Sequence, residues 1–383
     1  MQWMNEGADW LLNESYTAAD LTPETLGRLG AGIAAATQRS LIGYAGQSDH
    51  AKACAMTVCG AVAAAGGETV LMPDCTPVEL GAASPAAECE ILLFADETRL
   101  RLYARGLLPI TAAQESALTE ESAHWQQRGE YGSISDGTAL KMLYPARLMK
   151  HLPDTMPVQL TIGTASRRLY ELLRKLPKAA RGAPVLSAQL SADGRQVSLY
   201  SEKDGWFFHE KLMMMMTQNR LKHGKQAALP YWAAHIAEQM AEACGGEILR
   251  YAARSDGSDG EARALALAQG YTLDGTLLLA DVLRILAEEE PDLKSWSETL
   301  PPVYTVRRLL QTERAADAAA CCGTFLQTRQ TPDGLRAWDA RGEALLCPSH
   351  SGKTAAMLVE AASMEAAQEL AGEITDALRH LRR

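Results

Sequence analysis

The segment 347–354 holds the densest set of residues that could do chemistry in this sequence. It reads CPSHSGKT and offers hydroxyl, imidazole and ammonium groups from Ser349, His350, Ser351, Lys353 and Thr354. Hydroxyls, backbone amides beside a glycine and a lysine ammonium are groups that bind phosphate oxygens in proteins. These residues fit either an ordinary polar loop or an anion-binding loop, and in the second case they are the candidate phosphate-binding residues.

The same segment also matches the end of the nucleotide-binding motif G-x-x-x-x-G-K-[ST]. Cys347 stands where that motif needs its first glycine. The residues after Thr354 are typical of a strand, whereas the motif requires a helix at that point. A nucleotide-binding P-loop is therefore not predicted.

Other reactive residues are too scattered to indicate a site. The eight histidines form no H-x-x-x-H or H-E-x-x-H pair, and the eight cysteines form no C-x-x-C pair, so the sequence indicates no zinc site. Serine, histidine and aspartate residues show no spacing that would nominate a catalytic triad. We expect the cysteines to be reduced and mainly buried.

The charge and apolar content of the chain exclude two classes of partner. A net charge of −10 argues against nonspecific nucleic-acid binding, which needs clustered Lys and Arg to neutralise phosphates. Apolar stretches fall short of the roughly 18 to 20 residues of a membrane span, and the first residues are acidic rather than basic. We therefore expect a cytoplasmic protein without nucleic-acid or membrane partners.

The elements that must position these residues alternate between helix and strand. Apolar residues make up 47% of the chain and aromatic residues only 6%, which favours helices packed on sheets. The periodicity predicts three successive helix-and-strand cycles, with strands at 40–44, 68–72, 158–162, 197–200 and 247–251 and helices at 50–65, 232–243 and 275–289. The run 213–216 of four methionines is typical of a core helix.

The last part of the chain changes character. Segments 335–338 and 343–347 flank a turn and predict a hairpin, and 356–361 predicts a further strand. Ser363 can cap a final helix with one apolar stripe. This part therefore reads as a separate α+β module.

Ordered landmarks along the whole chain resemble the α-D-phosphohexomutase family, which includes phosphoglucomutase and phosphomannomutase. Residues 40–81 resemble the first strand–helix–strand unit of that family, with Gly43, Gly66, Thr76 and Pro77 in matching places. The chain is also similar to the family at 103–111, 274–286, 300–304, 333–334 and 345–363.

The resemblance implies a fold and a domain order. It implies an α/β protein of three successive α/β domains with mixed sheets, followed by a C-terminal α+β domain, in a heart-shaped phosphohexomutase-like architecture. We predict domain I at 1–137, domain II at 138–205, domain III at 206–301 and domain IV at 302–383.

Most catalytic residues of the family are replaced in this chain. The phosphorylated serine of the family lies in T-A-S-H-N-P, whereas residues 94–99 read FADETR, with Asp96 near the serine position. The magnesium loop D-x-D-x-D-R is matched by SADGRQ at 191–196, where Asp193 alone is retained and Arg195 replaces a ligand. The sugar loop G-E-x-S-G-H is replaced by LALAQGYTL at 265–273.

The resemblance therefore predicts a catalytically inactive phosphohexomutase-family protein that binds a phosphorylated sugar or related small anion in the cleft between its domains. One alternative is a divergent, active phosphoglucomutase or phosphomannomutase, an isomerase that moves phosphate between hydroxyls of a hexose phosphate. A second is a regulatory or scaffolding partner of an active mutase. No cofactor is expected, and magnesium only if the active-mutase alternative holds. Homo-oligomers and an active mutase paralogue are the protein partners considered.

Overall fold

The computed structural model describes residues 16–17, 21–122, 130–289, 292–311, 318–348 and 354–380, and these residues form four sheets. The first sheet contains β1 (Tyr16–Thr17), β2 (Arg39–Tyr44), β3 (Glu68–Met72), β4 (Ile91–Ala95), β5 (Arg99–Ala104) and β6 (Ile134–Asp136). Their order is β1-β5-β4-β2-β3-β6. β2 runs parallel to β3 and β4, β3 runs parallel to β6, and β5 returns antiparallel beside β4.

Helices pack on this sheet through apolar faces. They are α1 (Pro23–Ala36), α2 (Asp49–Ala64), α3 (Pro77–Ala83) and α4 (Ala112–Ser122), with short 3₁₀ turns at Arg105–Leu107 and Thr138–Met142. Ile33 on α1 and Val58 on α2 are buried in one apolar cluster with Ile42 of β2. Helix α3 begins with a capping box, in which Thr76 and Glu79 satisfy each other's backbone amides.

The second sheet is smaller and mixed. Its elements are α5 (Leu143–His151), β7 (Gln159–Thr164), α6 (Arg167–Leu173), β8 (Val185–Leu190), β9 (Val197–Ser201) and β10 (Gly205–Phe207). The strand order is β10-β9-β8-β7. β7 and β8 are parallel, and the remaining pairs are antiparallel.

Helices dominate the third unit. It contains α7 (His209–Lys222), β11 (Ala227–Pro230), α8 (Ile236–Cys244), β12 (Ile248–Tyr251), α9 (Gly260–Gln269), α10 (Gly275–Glu288) and α11 (Leu293–Glu298). The two strands are parallel. The methionine run 213–216 lies on α7 and is buried throughout, which confirms the predicted core helix.

Helix α8 begins four residues later than the sequence predicts. The guanidinium of Arg250 on β12 donates to the carbonyls of Pro230, Ala233 and Ala234 at 2.8, 2.8 and 3.1 Å. These carbonyls therefore accept hydrogen bonds from a side chain on β12 and not from the backbone amides of a helix. The predicted end of the helix is confirmed, because Gly245 adopts the left-handed conformation that terminates it.

The fourth unit is an antiparallel sheet with two helices. It contains β13 (Tyr304–Gln311), α12 (Ala318–Cys322), β14 (Gln327–Thr331), β15 (Gly334–Trp338), β16 (Gly342–Pro348), β17 (Thr354–Ala361) and α13 (Met364–His380). The strand order is β13-β17-β16-β15-β14. The predicted hairpin, strand and final helix are all present, and α13 buries Ala367, Leu370 and Ile374 against the sheet.

The predicted fold class is confirmed: three α/β units with their own sheets precede an α+β unit. The residues at which the four domains begin and end stay a prediction. All eight cysteines lie among the described residues and are free thiols, and six of them are buried. Within the described parts of the chain, no helix has both the length and the apolar character needed to cross a membrane.

Candidate functional site

The hairpin loop 191–196 joins β8 to β9 and holds Asp193, the one carboxylate that matches the family's magnesium loop. Ser191 N donates to Gln196 O at 3.1 Å, and Gly194 N donates to Ser191 O at 3.0 Å. Oδ1 of Asp193 accepts hydrogen bonds from the Ser191 hydroxyl and, at 3.1 Å, from Arg195 N. The Asp193 carboxylate is therefore held by its own loop.

This loop lies directly on the start of helix α10. Gly275 N donates to Gly194 O at 3.0 Å, and a Cβ at position 275 would lie 2.6 to 2.8 Å from the backbone of Gln196. Such an approach requires glycine. Asp274 caps the helix by accepting from Thr276 N and Leu277 N at 2.8 and 3.1 Å. The Asp-Gly landmark at 274–275 thus positions the loop.

Asp96, which the resemblance sets near the family's lost phosphoserine position, forms the turn between β4 and β5. Its Oδ1 accepts three hydrogen bonds, from Thr98 N at 2.8 Å, Thr98 Oγ1 at 3.1 Å and Arg99 N at 2.9 Å. These three hydrogen bonds stabilise the turn and occupy Asp96 Oδ1. Asp96 is therefore a turn-forming residue in this structure.

Arg101 on β5 brings Asp96 and Asp193 together. Its Nη2 lies 3.7 Å from Asp96 Oδ2, and its Nη1 lies 3.6 Å from Asp193 Oδ2. The side chain of Arg101 is 16% exposed and that of Asp193 is 10% exposed, so the contact is largely shielded from water. One guanidinium thus links the first sheet to the loop of the second.

Arg101 is a residue of the candidate site that the sequence analysis missed. The strand that carries it alternates in a clear period of two, with Leu100 and Leu102 between Arg99, Arg101 and Tyr103. That alternation could have predicted the strand. It could not have indicated the partner, because the partner belongs to another sheet.

Arg195 belongs to the same loop as Asp193. Its guanidinium lies over the ring of Tyr103, 5.3 Å from the centroid, and the side chain is nearly buried. Burial alone would raise the pKa of Asp193, but the charges of Arg195 and Arg101 and the Ser191 hydrogen bond outweigh it and lower that pKa. Asp193 is therefore ionised and already neutralised by arginine.

Side chains at the start of α7 contact both the second and the fourth units. His209, at the start of α7, accepts a hydrogen bond on Nδ1 from Val197 N at 3.4 Å, and burial lowers its pKa. Its neighbour Glu210 pairs with Arg307 on β13 at 2.8 Å. The ion pair between Glu210 and Arg307 thus ties the third unit to the fourth.

Most of the predicted phosphate loop lies outside the described residues. Ser349, His350, Ser351 and Lys353 belong to that part, whereas Thr354 opens β17 opposite Gln311. Residues 354–361 form a strand, as expected, and this is inconsistent with the helix that a P-loop requires.

The segment that replaces the sugar loop forms ordinary structure. Residues 265–269 complete helix α9, and Gly270 ends it with a φ of 73°. A polar segment precedes this helix, at 252–259 between β12 and α9. There Asp333 of the last unit accepts from Ala253 N and Arg254 N at 3.0 and 3.1 Å, which ties the third unit to the fourth.

The residues present do not fit magnesium. A hard divalent cation needs several oxygen ligands that converge on one point. Here the loop offers Asp193 alone, and Arg101 and Arg195 lie beside it. Among the described residues, no group of three or more His, Cys, Asp or Glu side chains could hold a metal ion.

Comparison with known proteins identifies the fold but no close relative. No protein-family model matches the sequence, and no curated protein matches it by sequence. A phosphoglucomutase/phosphomannomutase family protein from Burkholderia thailandensis is similar in structure with a TM-score of 0.73, at 15% identity over 97% of both chains. A putative phosphomannomutase from Thermus thermophilus has a TM-score of 0.70, at 15% identity over 96% of this chain and 98% of its own.

A more distant structure was solved with ligands. The N-acetylphosphoglucosamine mutase of Aspergillus fumigatus, in complex with GlcNAc-6P and magnesium, has a TM-score of 0.50 at 14% identity, over 97% of this chain and 95% of its own. The similarity of all three structures extends over nearly the whole of this chain and supports the sequence landmarks that pointed to this family. The chain therefore has the fold of the phosphohexomutase superfamily.

Proposed function

We propose that the protein binds a phosphorylated sugar or related anion in the cleft between its domains, without interconverting hexose phosphates. The observation that carries this proposal is the state of Asp96 and Asp193. By the family resemblance, Asp96 stands near the nucleophile position and Asp193 stands in the magnesium loop, and Arg101 lies 3.7 and 3.6 Å from their carboxylates. The reaction centre of a mutase is thereby replaced by an ion-pair cluster.

Loss of catalysis follows from what phosphoryl transfer needs. Transfer within a sugar phosphate requires a nucleophile that accepts the phosphoryl group and a cation that neutralises it. Asp96 uses Oδ1 in its own turn, and Oδ2 lies 3.7 Å from Arg101. Asp193 serves two arginines in place of a metal. Neither group is arranged for the transfer.

Ligand binding is assigned to the phosphate loop, with Ser349, His350, Ser351, Lys353 and Thr354 as the contacting residues. The base of this loop is firmly packed: a Cβ at Gly334 would collide with the Leu346 carbonyl, and Cys347 is buried. The Aspergillus mutase with the same fold binds GlcNAc-6P. A phosphorylated sugar is therefore the ligand class that this proposal names.

We also place the protein in the cytoplasm. All eight cysteines are free thiols, and burial raises the pKa of Cys59, Cys89 and Cys322 to about 11 in each case. Free thiols in this number suit a reducing compartment.

The test is thermal unfolding with glucose 1-phosphate, glucose 6-phosphate and the mannose and glucosamine equivalents, each with magnesium or EDTA. Lys353→Ala is the loss-of-binding variant, and Lys178→Ala, an exposed lysine on the second unit, is its matched control. A ligand at a hundredfold its Kd adds about 2.7 kcal/mol to the free energy of unfolding. We expect a metal-independent rise in Tm that Lys353→Ala abolishes and Lys178→Ala retains.

Two other outcomes would replace the proposal. Hexose-phosphate interconversion by the purified protein, dependent on magnesium and lost in Lys353→Ala, would establish the active-mutase alternative. The absence of a shift with every phosphosugar, together with a co-purifying protein, would favour a regulatory or scaffolding role.

A further inference from the structure

Two arginine side chains lie at the contact between the first and second sheets, where the Asp193 carboxylate also lies. Arg101 comes from β5 and lies 3.6 Å from Asp193 Oδ2, whereas Arg195 belongs to the loop of Asp193 itself. We propose that Arg101 and Arg195 form a built-in cation pair, which joins the two sheets at the position where a carboxylate loop of this fold would use a divalent cation.

The contacts of this pair cross between the two sheets in both directions. From the first sheet, Arg101 reaches Asp193 in the loop. From the loop, Arg195 reaches back over the ring of Tyr103 on the first sheet. Residues 101 and 103 share one face of β5 because side chains alternate along a strand. The first sheet therefore contributes the cation Arg101 and the ring of Tyr103. The loop contributes the cation Arg195 and the carboxylate of Asp193.

The four named side chains of this cluster carry equal numbers of positive and negative charges. Asp96 and Asp193 supply two negative charges, and Arg101 and Arg195 supply two positive charges. A divalent cation entering beside Asp193 would be repelled by both guanidinium groups. Arginine remains protonated throughout the physiological pH range, so this positive charge is permanent, whereas a bound ion can dissociate.

A planar guanidinium suits the geometry better than an ammonium would. Arg101 presents Nη2 to Asp96 and Nη1 to Asp193, so one side chain serves two carboxylates at once. The Asp193 carboxylate also accepts from the Ser191 hydroxyl and from Arg195 N. The cluster is thus a property of the free protein, and the inference does not rest on the proposed ligand.

Manganese(II) is the probe for the test, because its free form gives an EPR signal that is lost on binding. Four full-length proteins are treated with EDTA, exchanged into buffer and titrated: wild type, Asp193→Asn, Ser191→Asp, and the double variant Ser191→Asp with Arg195→Asp. The double variant carries three carboxylates at alternate positions and no guanidinium in the loop. Circular dichroism checks that each variant is folded.

We expect wild type to leave the free manganese signal unchanged and the double variant to reduce it, with magnesium competing. Ser191→Asp alone, which keeps Arg195, should bind manganese at least about tenfold more weakly than the double variant, since like charges oppose the ion. Manganese binding by wild type that Asp193→Asn abolishes would overturn the proposal. A folded double variant that binds no better than Ser191→Asp would overturn it too.

A second measurement stands even if the double variant does not fold. The Tm of wild type should be the same in EDTA, magnesium and manganese. Arg101→Met, which replaces the guanidinium with an unbranched apolar side chain, should lower Tm equally in all three solutions. A metal-dependent Tm in wild type, or an unchanged Tm in Arg101→Met, would each show that the arginine pair does not have this role.

Discussion

Arg168 on α6 binds the fully buried carboxylate of Glu79 on α3, with Nε and Nη2 at 3.0 and 2.7 Å from Oε1. The same carboxylate accepts from Thr76 N and Thr76 Oγ1 at 3.0 and 3.1 Å. Hydrogen bonding to Glu79 raises the pKa of Arg168. A shielded ion pair therefore joins the helices of the first and second units, a second link between them beside the Arg101 cluster.

The first prediction concerns this ion pair. Arg168→Ala leaves the Glu79 carboxylate buried without its cation, which is costly because the charge cannot regain its water. The Arg168 side chain is 31% exposed, so water offsets part of this cost. We expect the free energy of unfolding to fall by roughly 2–3 kcal/mol, measured by urea denaturation.

Arg167→Ala is the matched control for this measurement. Arg167 is adjacent in sequence, but its side chain is 74% exposed and pairs with Glu171 on the same helix. Exposed pairs of this kind contribute less than about 0.5 kcal/mol. Equal effects of the two substitutions would show that the Glu79 contact does not stabilise the fold.

The second prediction concerns pH and the contact between the third and fourth units. His235 N donates to both carboxylate oxygens of Glu360 at 2.7 and 2.8 Å, and burial raises the pKa of Glu360 to about 7. Burial lowers the pKa of the His235 ring to about 4. The other charged groups that face this pair are Glu238, Glu343, Arg250 and Arg336.

The two groups give stability opposite dependences on pH. Folded Glu360 keeps its proton up to a pH of about 7, whereas the unfolded chain loses it near 4.5, so its contribution to stability is lost as pH rises through that window. Unfolded His235 takes up a proton below about 6.5 and the folded ring does not until about 4, so its contribution grows as pH rises.

Glu360→Gln separates the two pH dependences, because it removes the titrating carboxyl group at position 360 and keeps the shape of the side chain. Relative to wild type, we expect the variant to gain about 1–2 kcal/mol of unfolding free energy between pH values of about 5 and about 8. Denaturant unfolding of both proteins at each pH measures the difference. Parallel pH curves for the two proteins would contradict the prediction.

Local patterns along the chain predicted several of the longer helices and strands in each unit, and their order. Helix-capping residues such as Ser48, Thr76 and Asp274, and the terminating Gly245, are readable because they act on neighbours within one turn. The late start of α8 was not readable. It depends on the Arg250 side chain, which reaches the carbonyls 230–234 from another strand.

Sequence patterns predicted two residues of the candidate site but not the contact that joins them. Asp96 and Asp193 were found as the residues that stand at matching motif positions. Their shared contact with Arg101 was missed, because a contact between two sheets produces no periodic pattern in the sequence of either segment. The turn bonds that engage Asp96 likewise depend on the local conformation and not on residue type alone.

The third prediction concerns the close approach of helix α10 to the loop 191–196. Gly275→Ala places a methyl group within 2.8 Å of the Gln196 backbone, which must move and carry Asp193 with it. We expect a loss of about 1–3 kcal/mol of unfolding free energy. Gly372→Ala, in the open middle of α13, is the control and should gain up to about 1 kcal/mol. A neutral Gly275→Ala would mean that the loop does not lie against the helix.

The last prediction concerns Asp96 and phosphoryl transfer. Because Asp96 Oδ1 builds the β4–β5 turn and Oδ2 faces Arg101, incubation with a hexose bisphosphate should leave the intact mass of the protein unchanged, with or without magnesium. Asp96→Asn keeps the turn-forming oxygen, so its unfolding free energy should differ from wild type by less than about 1 kcal/mol. A phosphoryl adduct on wild type that Asp96→Asn abolishes would instead make Asp96 a nucleophile. The chain would then be an active transferase with an aspartyl-phosphate intermediate.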